Sequence, residues 1–264
     1  MVTLASGLTL SYADQGVGPD PAVVLLPGPT DSWRSYEPVL ELLPGDVRAV
    51  AASLRGHGDS DKPATGYAVQ DFAADIDQLL DELRIERAVL AGHSGSCLVA
   101  RRFALDHPGR VAGLLLEASP ATLYDDPRLL GFVESVLSGL DDPISPDFAR
   151  SFVADTSSEN VPPDVVDVLA AEVLKVPARV WKETFAGLLR YDDLAELPFL
   201  EAPTRLVWGD ADTLVTREEQ DHLASSIPRA DLVVCPGAGH TPRWDDPVSF
   251  SRDLAAFVRR IGRM

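Results

Sequence analysis

A serine, a carboxylate and a histidine, each at the end of a β-rich run and in that chain order, are the side chains that nucleophilic acyl transfer needs. Residues 92–96 read Gly-His-Ser-Gly-Ser after the apolar run Ala88-Val89-Leu90-Ala91, and they open a helix-like run over 96–105. A strand, a tight turn and a helix in succession make a nucleophile elbow. Such a turn tips the Ser94 Oγ out of the sheet and aims helix N-terminal amides, that of Gly95 first, at the place where an oxyanion forms. Downstream, a β-rich run over 204–208 ends in Gly209-Asp210-Ala211-Asp212, and a second over 231–235 is followed by Pro236-Gly237-Ala238-Gly239-His240. His240 is the candidate general base, and Asp210 and Asp212 compete as the acid that orients it.

The remaining pattern says what must hold these residues. Short apolar runs at 23–26, 47–50, 88–91 and 111–116 alternate with helical patterns. The clearest helix places Val69, Phe72, Ala73, Ile76, Leu79, Leu80 and Leu83 on one face. Strands alternating with helices predict a parallel sheet covered on both sides. Over 120–198 the strand signals stop, and helices are expected at 128–140, 148–154, 165–176 and 179–189, punctuated by Pro143, Pro146, Pro162, Pro163 and Pro177. The alternation resumes at Thr204, and Thr216 with Glu219 forms a capping box before the run to Ile227. Residues 1–119 and 199–264 are therefore expected to form one α/β core, with 120–198 inserted as a helical cap over the strand C-termini. Small-molecule sites in open α/β sheets lie there.

Composition narrows the partners. A chain of 264 residues, 45% apolar, can bury a full core. A net charge of −18 makes nucleic acid and anionic membrane surfaces poor partners. Residues 1–12 lack a basic start and a long apolar stretch, and the two cysteines, Cys97 and Cys235, suggest no disulfide framework. A cytoplasmic protein acting on a small molecule is the expectation, its oligomeric state unspecified. No cluster has metal-ligand spacing and no Gly-rich phosphate loop follows the first strand, so neither a metal nor a cofactor is expected.

With Ser94, Asp212 and His240 so placed, and with Arg55-Gly56-His57-Gly58-Asp59-Ser60 and Leu26-Pro27-Gly28-Pro29 in their positions, nearly the whole chain resembles the α/β-hydrolase family. The resemblance implies a mostly parallel, doubly wound sheet with an inserted helical cap. It also implies an acid three residues after the strand-ending glycine, which is Asp212; Asp210 is then a turn residue. Some relatives take the acid from an earlier strand end, which here is Glu117. His57, Asp59 and His93 are expected to be structural.

Two departures stand out. Ser96 replaces the last glycine of Gly-x-Ser-x-Gly, where a small side chain is required. In the loop after the first core strand the family reads His-Gly-x and the amide of x donates to the oxyanion. Here x is Pro29, which has no N–H, so Gly95 is left with Gly28 or Thr30 to complete the hole. Trp33, Phe132, Phe148, Phe152, Trp181 and Phe185 are candidates for an apolar pocket or for the packed core of the cap. The expected activity is hydrolysis of a small, largely apolar ester or lactone through an acyl-enzyme. The alternatives are a slow-turnover ligand sensor and a carbon–carbon bond hydrolase or perhydrolase on the same fold. A serine at 94 disfavours dehalogenase and epoxide hydrolase chemistry, which in similar proteins uses an aspartate nucleophile.

Overall fold

The computed structural model describes residues 1–18, 21–159 and 161–264. A ribbon of β1 (Val2–Thr3) and β2 (Thr9–Leu10) precedes the main sheet. That sheet comprises β3 (Tyr12–Gln15), β4 (Ala22–Leu26), β5 (Ala49–Ala52), β6 (Ala88–His93), β7 (Val111–Glu117), β8 (Thr204–Gly209) and β9 (Ala230–Cys235). Its order is β3-β5-β4-β6-β7-β8-β9. Every pairing is parallel except that of β3 with β5. Each residue of β4, β5, β6 and β7 is buried, which is why those strands read as continuous apolar runs. The polar edge strand Tyr-Ala-Asp-Gln of β3 carries no such signal, and the sequence gives no warning of it.

The helices are α1 (Glu37–Leu42), α2 (Val69–Glu82), α3 (Ser96–Asp106), α4 (Pro127–Ser135), α5 (Pro146–Asp155), α6 (Pro163–Val173), α7 (Ala178–Leu189), α8 (Arg217–Ser226), α9 (Pro242–Asp245) and α10 (Pro247–Ile261). The period of two along the strands divides the core into two layers. Val24, Leu26, Val50, Leu90 and Leu116 pack with α2 and α3. Val23, Leu25, Ala51, Val89 and Leu115 pack with α1 and α10. Among the described residues no helix is long and apolar enough to cross a membrane.

Helices α4 to α7 lie between β7 and β8 in the chain, and α5 to α7 belong to a helical cap. The helix expected over 128–140 stops at Ser135 and gives way to a 3-10 turn at Leu137–Gly139. There the Ser135 and Ser138 hydroxyls donate to the carbonyls of Gly131 and Glu134, a local competition that weakens helix continuation. Arg101, fully buried on α3, ties both ends of the cap to the core. It donates to both carboxylate oxygens of Asp193 and to the carbonyls of Pro120 and Ala121.

Candidate active site

At the C-terminal end of β6 the chain turns so sharply that Ser94 adopts a φ of 53°. A non-glycine residue in this left-handed region stores about 1 to 3 kcal/mol, and packing must hold it there. Part of that hold is the Ser94 N–H, which donates to the Glu117 carbonyl at 2.9 Å. Gly92 supplies the close approach: a Cβ there would meet the Ser96 carbonyl oxygen at 2.8 Å. Ser96 is more than a tolerated small residue, because its hydroxyl donates to the Pro27 carbonyl at 2.6 Å and fastens the elbow to the loop after β4.

The candidate acid and base come from loops that touch through Gly209, where a Cβ would collide with the Ala238 carbonyl oxygen. Asp212 accepts from the amides of Leu214 at 2.8 Å and Val215 at 3.1 Å, which aims its other oxygen. That oxygen receives the His240 Nδ1–H at 2.9 Å. With Nδ1 protonated, Nε2 is the free lone pair, and the Ser94 hydroxyl donates to it at 3.0 Å. Asp210 faces elsewhere and accepts from the Gly237 amide at 2.6 Å.

Glu117 is fully buried and takes the Arg243 backbone amide and Nη1, each at 2.9 Å. Burial raises its pKa, and the adjacent guanidinium opposes the rise. His93 lies against His240 with ring centroids 5.0 Å apart and planes tilted by 58°, and donates from Nε2 to the His240 carbonyl at 3.0 Å. Burial drives its pKa well below the usual histidine range, so it is neutral. His57 is buried and bonded to the Arg55 carbonyl at 2.7 Å, its pKa lowered to about 4 by the same cause. Asp59 pairs with Lys175 of the cap at 3.0 Å.

The loop after β4 is a β-turn. The Asp31 amide donates to the Gly28 carbonyl at 3.1 Å, and Thr30 has a φ of 75°. Proline at the second position and a positive φ at the third are the marks of a type II turn. Pro29 thus serves the turn, and its ring sits close enough to Gly95 that a Cβ there would approach Pro29 Cγ at 2.8 Å. Gly28, Pro29 and Gly95 border the cavity, whereas Thr30 is wholly buried and is not among its lining.

That cavity, about 300 Å³, opens on Ser94 and His240 and lies between core and cap. Phe132, Phe152 and Phe185 line it together with Leu129, Leu188 and Trp244. Three aromatic candidates, Phe148, Trp181 and Trp33, do not. Trp181 is fully buried as the centre of the cap, with its ring 4.7 Å from that of Phe152 and 5.5 Å from that of Phe148. Trp33 packs against the opposite layer of the core and under the Arg34 guanidinium, 4.7 Å from its ring. Helical spacing nominates a face and not a depth, so it left Phe148 and Trp181 open between pocket and cap core, and they pack in the core. The sequence reading missed Leu129 and Leu188, although each lies three residues from Phe132 or Phe185 on the same helix, a spacing that could have nominated them. Asp31 carried no signal, because a carboxylate in a turn reads as solvated. Among the described residues no group of His, Cys, Asp and Glu side chains is gathered to hold a metal ion.

Comparison with known proteins agrees with this fold. Residues 21–247 match the family described as alpha/beta hydrolase fold. The chain is 26% identical to a putative 2-succinyl-6-hydroxy-2,4-cyclohexadiene-1-carboxylate synthase of Bacillus subtilis, covering 98% of each chain. It is 25% identical to 3-oxoadipate enol-lactonase 1 of Acinetobacter baylyi, covering 99% of this chain and 97% of that one. Among solved structures, a thermophilic esterase from Thermogutta terrifontis superposes with a TM-score of 0.88 at 25% identity, covering 98% of this chain and 97% of the esterase.

Proposed function

This chain belongs to the alpha/beta hydrolase fold family, and on that premise we propose that it is a serine hydrolase cleaving small, largely apolar carboxylic esters or lactones. One observation carries the reading: the Ser94–His240–Asp212 hydrogen-bond chain, at 3.0 and 2.9 Å, opens on a cavity walled by aromatic and aliphatic side chains. The relatives named as an esterase and an enol-lactonase support it.

In this mechanism His240 Nε2 takes the Ser94 proton as Oγ bonds to the carbonyl carbon, and the electron pair of the C=O moves to oxygen. The Gly95 amide receives that oxyanion. Asp212 keeps the imidazole in the productive tautomer and stabilises its cation. As the carbonyl re-forms, the alcohol leaves with the proton from His240; in a lactone it stays attached to the acyl group. Water then gives a proton to His240, attacks the acyl-enzyme and releases the acid, and His240 returns the proton to Ser94.

A slow-turnover receptor built on the same residues is the second reading, favoured by Pro29, which borders the cavity without an N–H to give. One experiment addresses both readings. A fluorophosphonate probe should add one adduct to the intact protein, mapped to the peptide holding Ser94, and p-nitrophenyl butanoate should then turn over many times per enzyme. An unlabelled wild type, or equal labelling of Ser94→Ala, sinks the serine hydrolase. A burst of one nitrophenol per enzyme with no steady state favours the receptor.

A further inference from the structure

The cavity contains more acid than the proposed chemistry uses. Asp31 lines it beside Pro29, at the end of the turn after β4, and its carboxyl is 10% exposed. Its protein partners are the Ser35 hydroxyl and Nη2 of Arg243, the latter at 3.3 Å. That guanidinium is already engaged: Nη1 donates to Glu117 at 2.9 Å and Nε to the Ser35 carbonyl at 3.3 Å. One buried cation therefore serves two buried carboxylates, and Asp31 has the poorer share.

An ionised carboxylate has about four acceptor positions, so Asp31 keeps capacity that the protein leaves unfilled. Burial raises its pKa to about 6, and Arg243 only partly opposes this. The group is thus ionised through most of the neutral range and weakly compensated.

The rest of the lining points the same way. Asp126 and Asp155 border the cavity, and among the described residues Arg128 is its one arginine or lysine. Arg128 is already committed to Asp126 at 3.2 Å and to the Leu214 carbonyl at 3.0 Å. An anionic group entering beside buried Asp31 meets like charge, whereas an ammonium group meets an acceptor.

We propose that Asp31 is a specificity-determining residue that selects esters bearing an ammonium group on the acyl or alcohol part and disfavours those bearing a free carboxylate. The inference rests on the hydrolase reading of the same cavity and deepens it by naming a substrate class.

The test uses purified full-length protein and esters that differ by one group. Methyl 4-aminobutanoate is set against methyl pentanoate, 2-(dimethylamino)ethyl acetate against 3-methylbutyl acetate, and monomethyl succinate is the anion. For wild type at pH 7.5, kcat/KM should favour the ammonium member of at least one pair by about tenfold or more, the scale of a hydrogen bond to a charged group. Monomethyl succinate should be the poorest of the five. In Asp31→Asn, which keeps shape and removes charge, the ratio should fall to within about twofold and monomethyl succinate should gain relative to methyl pentanoate. Asp31→Leu gives a second variant should the amide find a new partner, and fluorophosphonate labelling of Ser94 reports an intact site in both. Labelled wild type with equal or no turnover of both members of each pair overturns the inference alone, as does a preference that survives both substitutions. Loss of Ser94 labelling in wild type overturns the hydrolase reading beneath it.

Discussion

Two carboxylates stand at the C-terminal ends of adjacent parallel strands, and each holds a nitrogen group from the segment that follows β9. Glu117 closes β7 and binds Arg243; Asp212 follows β8 by three residues and binds His240. Both carboxylate side chains are fully buried, and their partners lie three residues apart. The difference is in what each partner has left to give. The guanidinium of Arg243 has no lone pair and does not titrate near neutrality, so its pairing with Glu117 is a fixed brace for the loop. The imidazole, once Asp212 holds Nδ1–H, presents Nε2 as a base to Ser94. On the proposed mechanism, strand position alone does not decide which carboxylate serves chemistry; the proton inventory of its partner does.

The sharpest way to break this comparison is to neutralise each carboxylate in turn. Asp212→Asn should free the imidazole to adopt the wrong tautomer and lower kcat by about 10³ to 10⁴. Folding should change little, because the amide oxygen can still accept from Leu214 and Val215. Asp210→Asn should lower kcat far less, since its oxygen caps Gly237 away from His240. Steady-state kinetics on an activated ester, with thermal melts of each variant, reads both effects. A crippled Glu117→Gln beside an active Asp212→Asn would move the acid to β7.

Glu117→Gln is the complementary case, with stability as its main readout. It leaves a buried guanidinium with Asp31, at 3.3 Å, as its remaining carboxylate. Breaking a buried pair costs about 3 to 5 kcal/mol, and the remaining carboxylate places this one near about 3 kcal/mol. For a chain of this size that lowers Tm by about 6 to 12 °C. Activity per folded molecule should drop by less than about tenfold, because His240 keeps its own bonds to Asp212, Ser94 and His93. A normal Tm would mean that the brace is not what holds the loop.

The sequence made one of these carboxylates easier to read than the other. Ser94, Asp212 and His240 were legible because strand, turn and glycine patterns are local, and the buried strands announced themselves as unbroken apolar runs. Glu117 was visible only as a rival acid, since its partner lies 126 residues away and no local pattern links them. Pro29 read as a missing donor, and the structure adds its other role, as the second residue of a type II turn. Ser96 read as merely small, and its bond to Pro27 needed coordinates. Asp31 was silent because nothing nearby in sequence marks a turn carboxylate as buried.

The smallest expected effect concerns that third carboxylate, and it separates charge from shape at the shared guanidinium. Asp31 has its folded pKa raised from 3.8 to about 6, chiefly by burial, with Arg243, His240 and Ser35 lowering it and Glu117 raising it. A raised carboxyl pKa means that the folded state binds the proton more tightly than the unfolded one. Its stabilising contribution is therefore fully present below about pH 3.8 and is lost as pH rises through about 6. Asp31→Asn removes this dependence, while groups such as His57 and His93 titrate equally in both proteins and cancel in the difference. The Tm of Asp31→Asn relative to wild type should accordingly climb by a few degrees between pH 4 and pH 7. The Glu117 pKa should fall in this variant, because its carboxylate then has Arg243 to itself, and that fall adds to the climb. A Tm difference that stays flat across this range would mean that Arg243 fully compensates both carboxylates, and the cavity would then hold no spare negative charge for a cationic substrate to meet.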